Sequence, residues 1–237
     1  MAIALITAGG AGVRTGQKVP KQYLTVEDIP ILLYTMKNIQ DSNCYDELYV
    51  VCADGWKDFV LSYASQYSIS IMKGTITGGK TRFESYSNGL RELSLTHGAD
   101  EIVSIFDGNR PMTPLFIFEE AFDVIKDADC VIPLEACYDS MYYAENGKGK
   151  QVVRTLERDN IFKGQSPETT RLGVANEVCQ NAQKDDKGDK TLTALMLEDG
   201  KKVLYTQGSP LNFKITTSHD FKLFKALNTI TFKVDAI

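Results

Sequence analysis

Short apolar runs recur along the chain and alternate with longer stretches whose apolar residues repeat at helical spacing. The runs at residues 2–7 (AIALIT), 47–53 (ELYVVCA), 68–72 (SISIM), 101–106 (EIVSIF) and 129–133 (DCVIP) predict buried strands. Between them, residues 31–39, 56–66, 82–95 and 114–126 predict helices. Alternation at this spacing predicts βαβ units with right-handed crossovers around a mostly parallel sheet.

The pattern changes after Cys137. Residues 138–164 are rich in Tyr, Lys, Arg, Glu and Gly, and Asn146-Gly147 marks a hairpin turn between Tyr-rich and Val-rich runs. Such a hairpin is either a subunit contact or a free surface arm. Residues 184–190 (KDDKGDK) read as a solvated loop, 202–206 as a strand and 218–227 as a closing helix, with no internal repeat.

Composition narrows the chemistry. The 237 residues carry 26 Lys+Arg against 31 Asp+Glu, a formal charge of −5, which argues against wrapping nucleic acid by bulk charge. His97 and His219 are the only histidines, too few for a His-rich metal site. The five cysteines form no C-x-x-C pair, so reduced, buried thiols are expected. No basic segment precedes the first apolar run, and no apolar stretch approaches the roughly 20 residues of a membrane span. A cytoplasmic protein without membrane insertion is expected.

Against that acidic background, one stretch is purely cationic. The first predicted strand runs into Thr7-Ala8-Gly9-Gly10-Ala11-Gly12-Val13-Arg14 and then Lys18, Pro20 and Lys21, with no acid from residue 14 to 21. Backbone N–H groups on such a loop make an anion nest, and the cations suit a polyphosphate. The dinucleotide fingerprint G-x-G-x-x-G is not met, because position 15 is Thr. A second string, Gly74 to Thr81, matches the P-loop G-x-x-x-x-G-K-[ST] literally, and Asp107 ends an apolar run as a Walker B aspartate would. A P-loop NTPase or kinase is therefore one reading, and a non-catalytic nucleotide-binding module another. The string Asp107-Gly108-Asn109-Arg110-Pro111 falls at a strand end, where open α/β sheets bind ligands, and the aspartate suits Mg²⁺ held with nucleotide phosphates. Lys214, before the last helix, is placed to reach a phosphate.

Taken in order, these strings resemble the cytidylyltransferases that make CDP-linked polyols. One branch of that family acts on 2-C-methyl-D-erythritol 4-phosphate and the other on ribitol 5-phosphate and similar acceptors. The resemblance runs from Ile3 to Leu227 and rests on Gly9-Gly10-Ala11-Gly12-Val13-Arg14, Pro20-Lys21-Gln22, Gly78-Gly79-Lys80-Thr81-Arg82 with Ser85 and Asn88-Gly89-Leu90, Asp107 to Pro111, Gln165-Ser166-Pro167-Glu168 and Lys214-Ile215-Thr216. It absorbs the apparent P-loop into the family's second loop.

The resemblance implies one nucleotidyltransferase domain over residues 1–237. Its fold would be α/β, a Rossmann-like mononucleotide-binding core with a mostly parallel twisted sheet and a β-arm at about 138–164 exchanged in a homodimer. It implies that Thr7, Ala8, Gly9, Gly10, Ala11 and Gly12, the loop residues Gly79, Lys80, Thr81, Arg82 and Ser85, and Asp107 and Gly108 hold CTP. Arg14, Lys21 and Lys214 would neutralise the α-phosphate. Arg158 would position the incoming phosphate monoester, with Arg110, Asp139, Ser140 and Gln165 around the acceptor. Asp107 would sit near Mg²⁺ arriving with CTP. The implied partners are CTP and a polyol phosphate. Tyr142, where the methylerythritol branch tends to have Lys, and Phe162-Lys163-Gly164-Gln165 sit closer to the ribitol branch, which implies capsule or cell-wall synthesis. Glu168 stands where Gln is common, and an acid usual near Thr191 is missing.

Overall fold

The computed structural model describes residues 1–9, 19–145, 151–184 and 190–234. Strand β1 (Ala2–Thr7) opens the fold, and a small ribbon of β2 (Thr25–Val26) and β3 (Ile29–Pro30) leads into helix α1 (Ile31–Asp41). There follow β4 (Glu47–Cys52), α2 (Lys57–Gln66), β5 (Met72–Thr77), α3 (Arg82–Leu93), β6 (Ile102–Asp107) and α4 (Leu115–Val124). Next come β7 (Cys130–Ala136), β8 (Met141–Tyr143), β9 (Arg154–Leu156), β10 (Phe162–Gly164) and β11 (Glu168–Arg171). The chain closes through α5 (Leu172–Lys184), α6 (Leu192–Glu198), β12 (Val203–Gln207) and α7 (Ser218–Val234).

The main sheet runs β10-β7-β11-β6-β1-β4-β5, with β12 also pairing β7. Pairs β6-β1, β1-β4, β4-β5 and β7-β12 are parallel, while β11 lies antiparallel between β6 and β7. The fold is thus the mostly parallel α/β architecture that the sequence leads one to expect. Alternation along β1 sends Ala4 and Ile6 into one core with α1, α2 and α4, and Ile3 and Leu5 into another with α3, α5 and α6. Two apolar faces covered by helices explain why these strands read as continuous apolar runs. Gly89 brings α3 down onto the sheet, since a Cβ there would lie 2.7 Å from Leu5 and 2.9 Å from Val51.

Two expectations change. The strand expected at residues 68–72 forms at Met72–Thr77, because Ser68 turns with φ 54° and Ile69 reaches the core from that turn. The polar segment Glu168–Arg171, to which no element was assigned, is a buried strand. The expected hairpin forms as β8 paired antiparallel with β9, Met141 opposite Leu156, although Asn146-Gly147 lies outside the described residues. At its far end, β10 joins the main sheet against β7 and so closes the arm's base. The loop at 185–189 is likewise outside the described residues. Cys52, Cys130, Cys137 and Cys179 are buried, Cys44 is half-buried, and all five are free thiols. Burial pushes the Cys52 and Cys179 thiols up to about 11. Among the described residues, no helix is long and apolar enough to cross a membrane.

Candidate active site

The carboxyl ends of β1, β4, β5 and β6 meet at one edge of the sheet. Thr7 pairs with Asp107 across β1 and β6, and Cys52 with Thr77 across β4 and β5. Two loops leave this edge and touch. A Cβ on Gly9 would lie 3.1 Å from Ser85 Oγ, and Ser85 Oγ accepts from the Gly79 N–H (3.1 Å) and donates to the Thr81 carbonyl (2.8 Å).

This geometry overturns the P-loop reading. Gly74 to Thr77 are extended in β5 and hydrogen-bonded to β4, so only residues 78–81 form a loop. A phosphate-cradling loop needs its N–H groups turned inward together, and a paired strand cannot supply them. The space by the loop is filled by Glu84. Its carboxylate accepts from the Lys80 N–H (2.6 Å), while Thr81 Oγ1 caps the helix by accepting from the Glu84 N–H (3.1 Å). A Cβ on Gly79 would collide with the Glu84 side chain at 2.2 Å, so glycine is required there.

Gly10, Ala11, Gly12, Arg14 and Lys18 lie outside the described residues. Lys21 lies in a short 3₁₀ turn, Lys21–Tyr23, pinned on two sides. Gln22 Nε2 donates to the Ala8 carbonyl (2.6 Å), and Tyr23 stacks on Trp56 with centroids 3.9 Å apart and rings 4° from parallel. The turn that carries Lys21 is therefore tied to the start of the glycine loop.

Asp107 is the centre of the site. One oxygen is 2.8 Å from Lys214 Nζ and 3.5 Å from Arg82 Nε; the other accepts from Arg110 Nε at 3.0 Å. Burial would raise this carboxyl, but Lys214, Arg82 and Arg110 hold it far below the usual carboxylate range. Arg82 also pairs with Glu168 at 2.8 Å and lies 5.5 Å from the Tyr86 ring. Among the described residues, three partly buried cations face two buried carboxylates, leaving one net positive charge. Such a cluster attracts an anion and is built before the anion arrives.

As it stands, the donor set does not fit a metal held by the protein. Both Asp107 oxygens are occupied by cationic side chains, and no group of three His, Cys, Asp or Glu converges among the described residues.

Asn212, fully buried, is the hub that delivers Lys214, and sequence reasoning gave it no role. Its Oδ1 accepts from Thr113 (2.8 Å), and its Nδ2 donates to Gln165 Oε1 (3.2 Å) and the Ser166 carbonyl (2.8 Å). Its backbone carbonyl accepts from Arg110. Asn109 clamps the same segment by exchanging hydrogen bonds with the Ile215 backbone. Phe213 and Ile215 pack against α7, so the intervening Lys214 turns the other way, toward Asp107. An asparagine within the alternating run Leu211–Ile215 is the sequence signal that could have found it.

Gln165, expected near the acceptor, is instead committed to this brace. Its amide serves Glu135, the Ser209 backbone and Asn212, which uses its donors and acceptor. Gly108 packs beneath the site against Leu32 and Ile6. Asp139, Ser140 and Arg158 lie apart on the arm and are exposed. Arg158 donates to the Tyr138 carbonyl (2.9 Å) and lies 3.6 Å from Asp159; its contacts are local to the arm.

Residues 2–229 match the family described as IspD: 2-C-methyl-D-erythritol 4-phosphate cytidylyltransferase. A ribitol-5-phosphate cytidylyltransferase of Lacticaseibacillus paracasei is 28% identical over 95% of this chain and 97% of its own length. A 2-C-methyl-D-erythritol 4-phosphate cytidylyltransferase of Alkaliphilus oremlandii is 31% identical over 91% and 90%. The crystal structure of 4-diphosphocytidyl-2C-methyl-D-erythritol synthase from Anaerococcus prevotii shares the fold with a TM-score of 0.80 at 20% identity, covering 96% of this chain and 98% of that one.

Proposed function

The chain belongs to the 2-C-methyl-D-erythritol 4-phosphate cytidylyltransferase family, and from that premise we propose that it condenses CTP with a ribitol-type polyol phosphate. It is a nucleotidyltransferase of the cytidylyltransferase kind, acting on CTP and a polyol phosphate. The observation that carries the reaction is the buried cationic cluster on Asp107 at the strand ends, with Lys214 at 2.8 Å. Tyr142, exposed on the arm, and the Phe162–Gln165 stretch support a ribitol-type acceptor serving capsule or wall synthesis.

In this reading a phosphate oxygen of the acceptor attacks the α-phosphorus of CTP. The new P–O bond forms as the bond to the β-phosphate oxygen breaks, and pyrophosphate leaves. Both partners are anions, so positioning and charge neutralisation supply most of the catalysis. Arg14, Lys21 and Lys214 stabilise the α-phosphate as it becomes five-coordinate. The monoester is ionised near neutral pH, so no histidine base is required. Mg²⁺ would be held by the nucleotide's own phosphates and would add charge neutralisation there, since both Asp107 oxygens are taken by Arg82, Arg110 and Lys214. The loop of Gly79 to Ser85, with Thr7 to Gly9, binds the nucleotide. Arg158 serves the acceptor, and the arm pairs two copies of the chain so that each one's Arg158 is brought to the other's site.

The test is pyrophosphate release from CTP with ribitol 5-phosphate and with 2-C-methyl-D-erythritol 4-phosphate. Turnover with ribitol 5-phosphate or a related polyol phosphate is expected. Turnover confined to the methylerythritol substrate would replace the acceptor assignment, and none with either, alongside CTP binding, would leave a nucleotide-binding module. Lys21→Ala should lower kcat about 10²-fold or more, and Lys80→Ala far less, because Lys80 lies at the exposed rim of its loop.

A further inference from the structure

Glu168 is a carboxylate that the proposed reaction does not use, yet it is only 2% exposed. Burying a carboxylate costs several kcal/mol unless its oxygens are met. Here both are: one accepts from Arg82 Nη2 at 2.8 Å, the other from the Thr193 N–H at 2.6 Å and the Thr193 hydroxyl at 2.7 Å. Thr193 lies in the first turn of α6 and Glu168 on β11, so two separate elements fix the carboxylate before it meets the arginine.

The arginine is the first residue of α3 and part of the loop that touches Gly9. Its guanidinium spends Nη2 on Glu168 and points Nε at Asp107, while Nη1 is buried with no partner among the described residues. Two of its three nitrogens are thus steered by acids and one donor is held in reserve. Without Glu168, the remaining acid within reach of Arg82 in this cluster is Asp107, where Lys214 and Arg110 already compete.

The structure assigns to Glu168 a positioning role: it holds Arg82 at the nucleotide loop, with Nη1 uncommitted to any described protein group and kept for CTP. This role rests on the cytidylyltransferase reading. Glu168 touches neither substrate; it acts through Arg82. The same geometry gives the role a signature. Thr193 Oγ1 lies 2.7 Å from the Glu168 carboxylate, so an acid placed at 193 would put its charge beside the same guanidinium.

The experiment measures CTP affinity by calorimetry and, separately, KM and kcat by pyrophosphate release, for the wild type, Glu168→Gln, Glu168→Asp and the double variant Glu168→Gln/Thr193→Asp. Glu168→Gln should raise the CTP Kd and KM about tenfold and leave kcat at saturating CTP within about threefold. The double variant should return CTP affinity to within about threefold of wild type. A lower Tm with unchanged CTP affinity in Glu168→Gln would overturn the proposal, as would a folded double variant that stays weak. Should Glu168→Gln not fold, Glu168→Asp decides: the shortened acid should weaken CTP about threefold, and wild-type affinity would refute the role. Wild-type protein that binds CTP but turns over no polyol phosphate sinks the functional reading and leaves calorimetry to judge Glu168. Wild-type protein that binds no CTP sinks both.

Discussion

The Asp107 cluster and the β8–β9 arm carry charged residues of the same kinds and hold them in opposite ways. Around Asp107, three cations and two acids are fixed by β6, β11, α3 and the Asn212 brace, and Asp107 and Glu168 are nearly sealed from water. On the arm, Arg158 is 57% exposed and paired with an Asp159 that is itself 92% exposed. Tyr138, Tyr142, Val152 and Val153 there are 54–79% exposed. The first arrangement is finished within one chain; the second exposes apolar and charged surface that one chain leaves uncovered. Preorganised charge in a dry pocket is worth far more than the same charge in solvent. The described part of the proposed nucleotide side is therefore built in advance, whereas the arm's charged residues are held only by local contacts.

Breaking the cluster should have the largest effect. Asp107→Asn leaves Arg82, Arg110 and Lys214 around a neutral amide, an uncompensated buried charge that should cost about 3–5 kcal/mol of stability. Turnover should fall about 10³-fold. Urea denaturation beside a pyrophosphate assay checks both, and unchanged stability would mean the cluster is not preorganised.

Arg158→Ala sharpens the contrast from the other side. Stability should stay within about 0.5 kcal/mol, as for an exposed surface residue. CTP affinity should also hold, while kcat/KM for the acceptor falls about 10²-fold. A matching loss of CTP affinity would show that the two regions are not separable.

The smallest effect is at Asp220, which anchors the segment just beyond Lys214. Its carboxylate accepts from the Thr216 N–H and hydroxyl and the Thr217 N–H, each at 2.7–2.8 Å. Thr217 Oγ1 in return accepts from the Asp220 N–H, a reciprocal cap on α7. Burial would raise the carboxyl, but these hydrogen bonds lower it from 3.8 to about 2. A depressed pKa in the folded state gives stability that is present above the unfolded value and lost as pH falls through the folded one. The cap's contribution, about 1 kcal/mol, should therefore fade between about pH 4 and pH 2. Asp220→Asn should flatten that part of a stability–pH curve, and an unchanged curve would remove Asp220 as its source.

Much of the fold was legible because buried parallel strands announce themselves: β1, β4 and β6 are apolar runs with a helix-spaced segment after each. Strand β11 was not, since Glu-Thr-Thr-Arg reads as surface. It is buried because Glu168 meets Arg82, Thr169 meets Ser104, and Thr170 meets the Asp129 carbonyl. The Gly74–Thr81 string misled for a related reason. A pattern of residue types does not state whether its first half is loop or strand, and the pairing of β5 with β4 decides that.

By itself, then, the sequence determined the layered α/β class, the glycine turns at the strand ends and the cationic residues that flank them, because periodicity and turn chemistry act locally along the chain. It did not determine which acid each cation meets. That Asp107 gathers Arg82 and Lys214 beside its near neighbour Arg110, and that Glu168 shares Arg82, depends on bringing together residues 25 to 107 positions apart. Only the tertiary structure does this, since a buried charge is tolerable only where the folded chain supplies its partner.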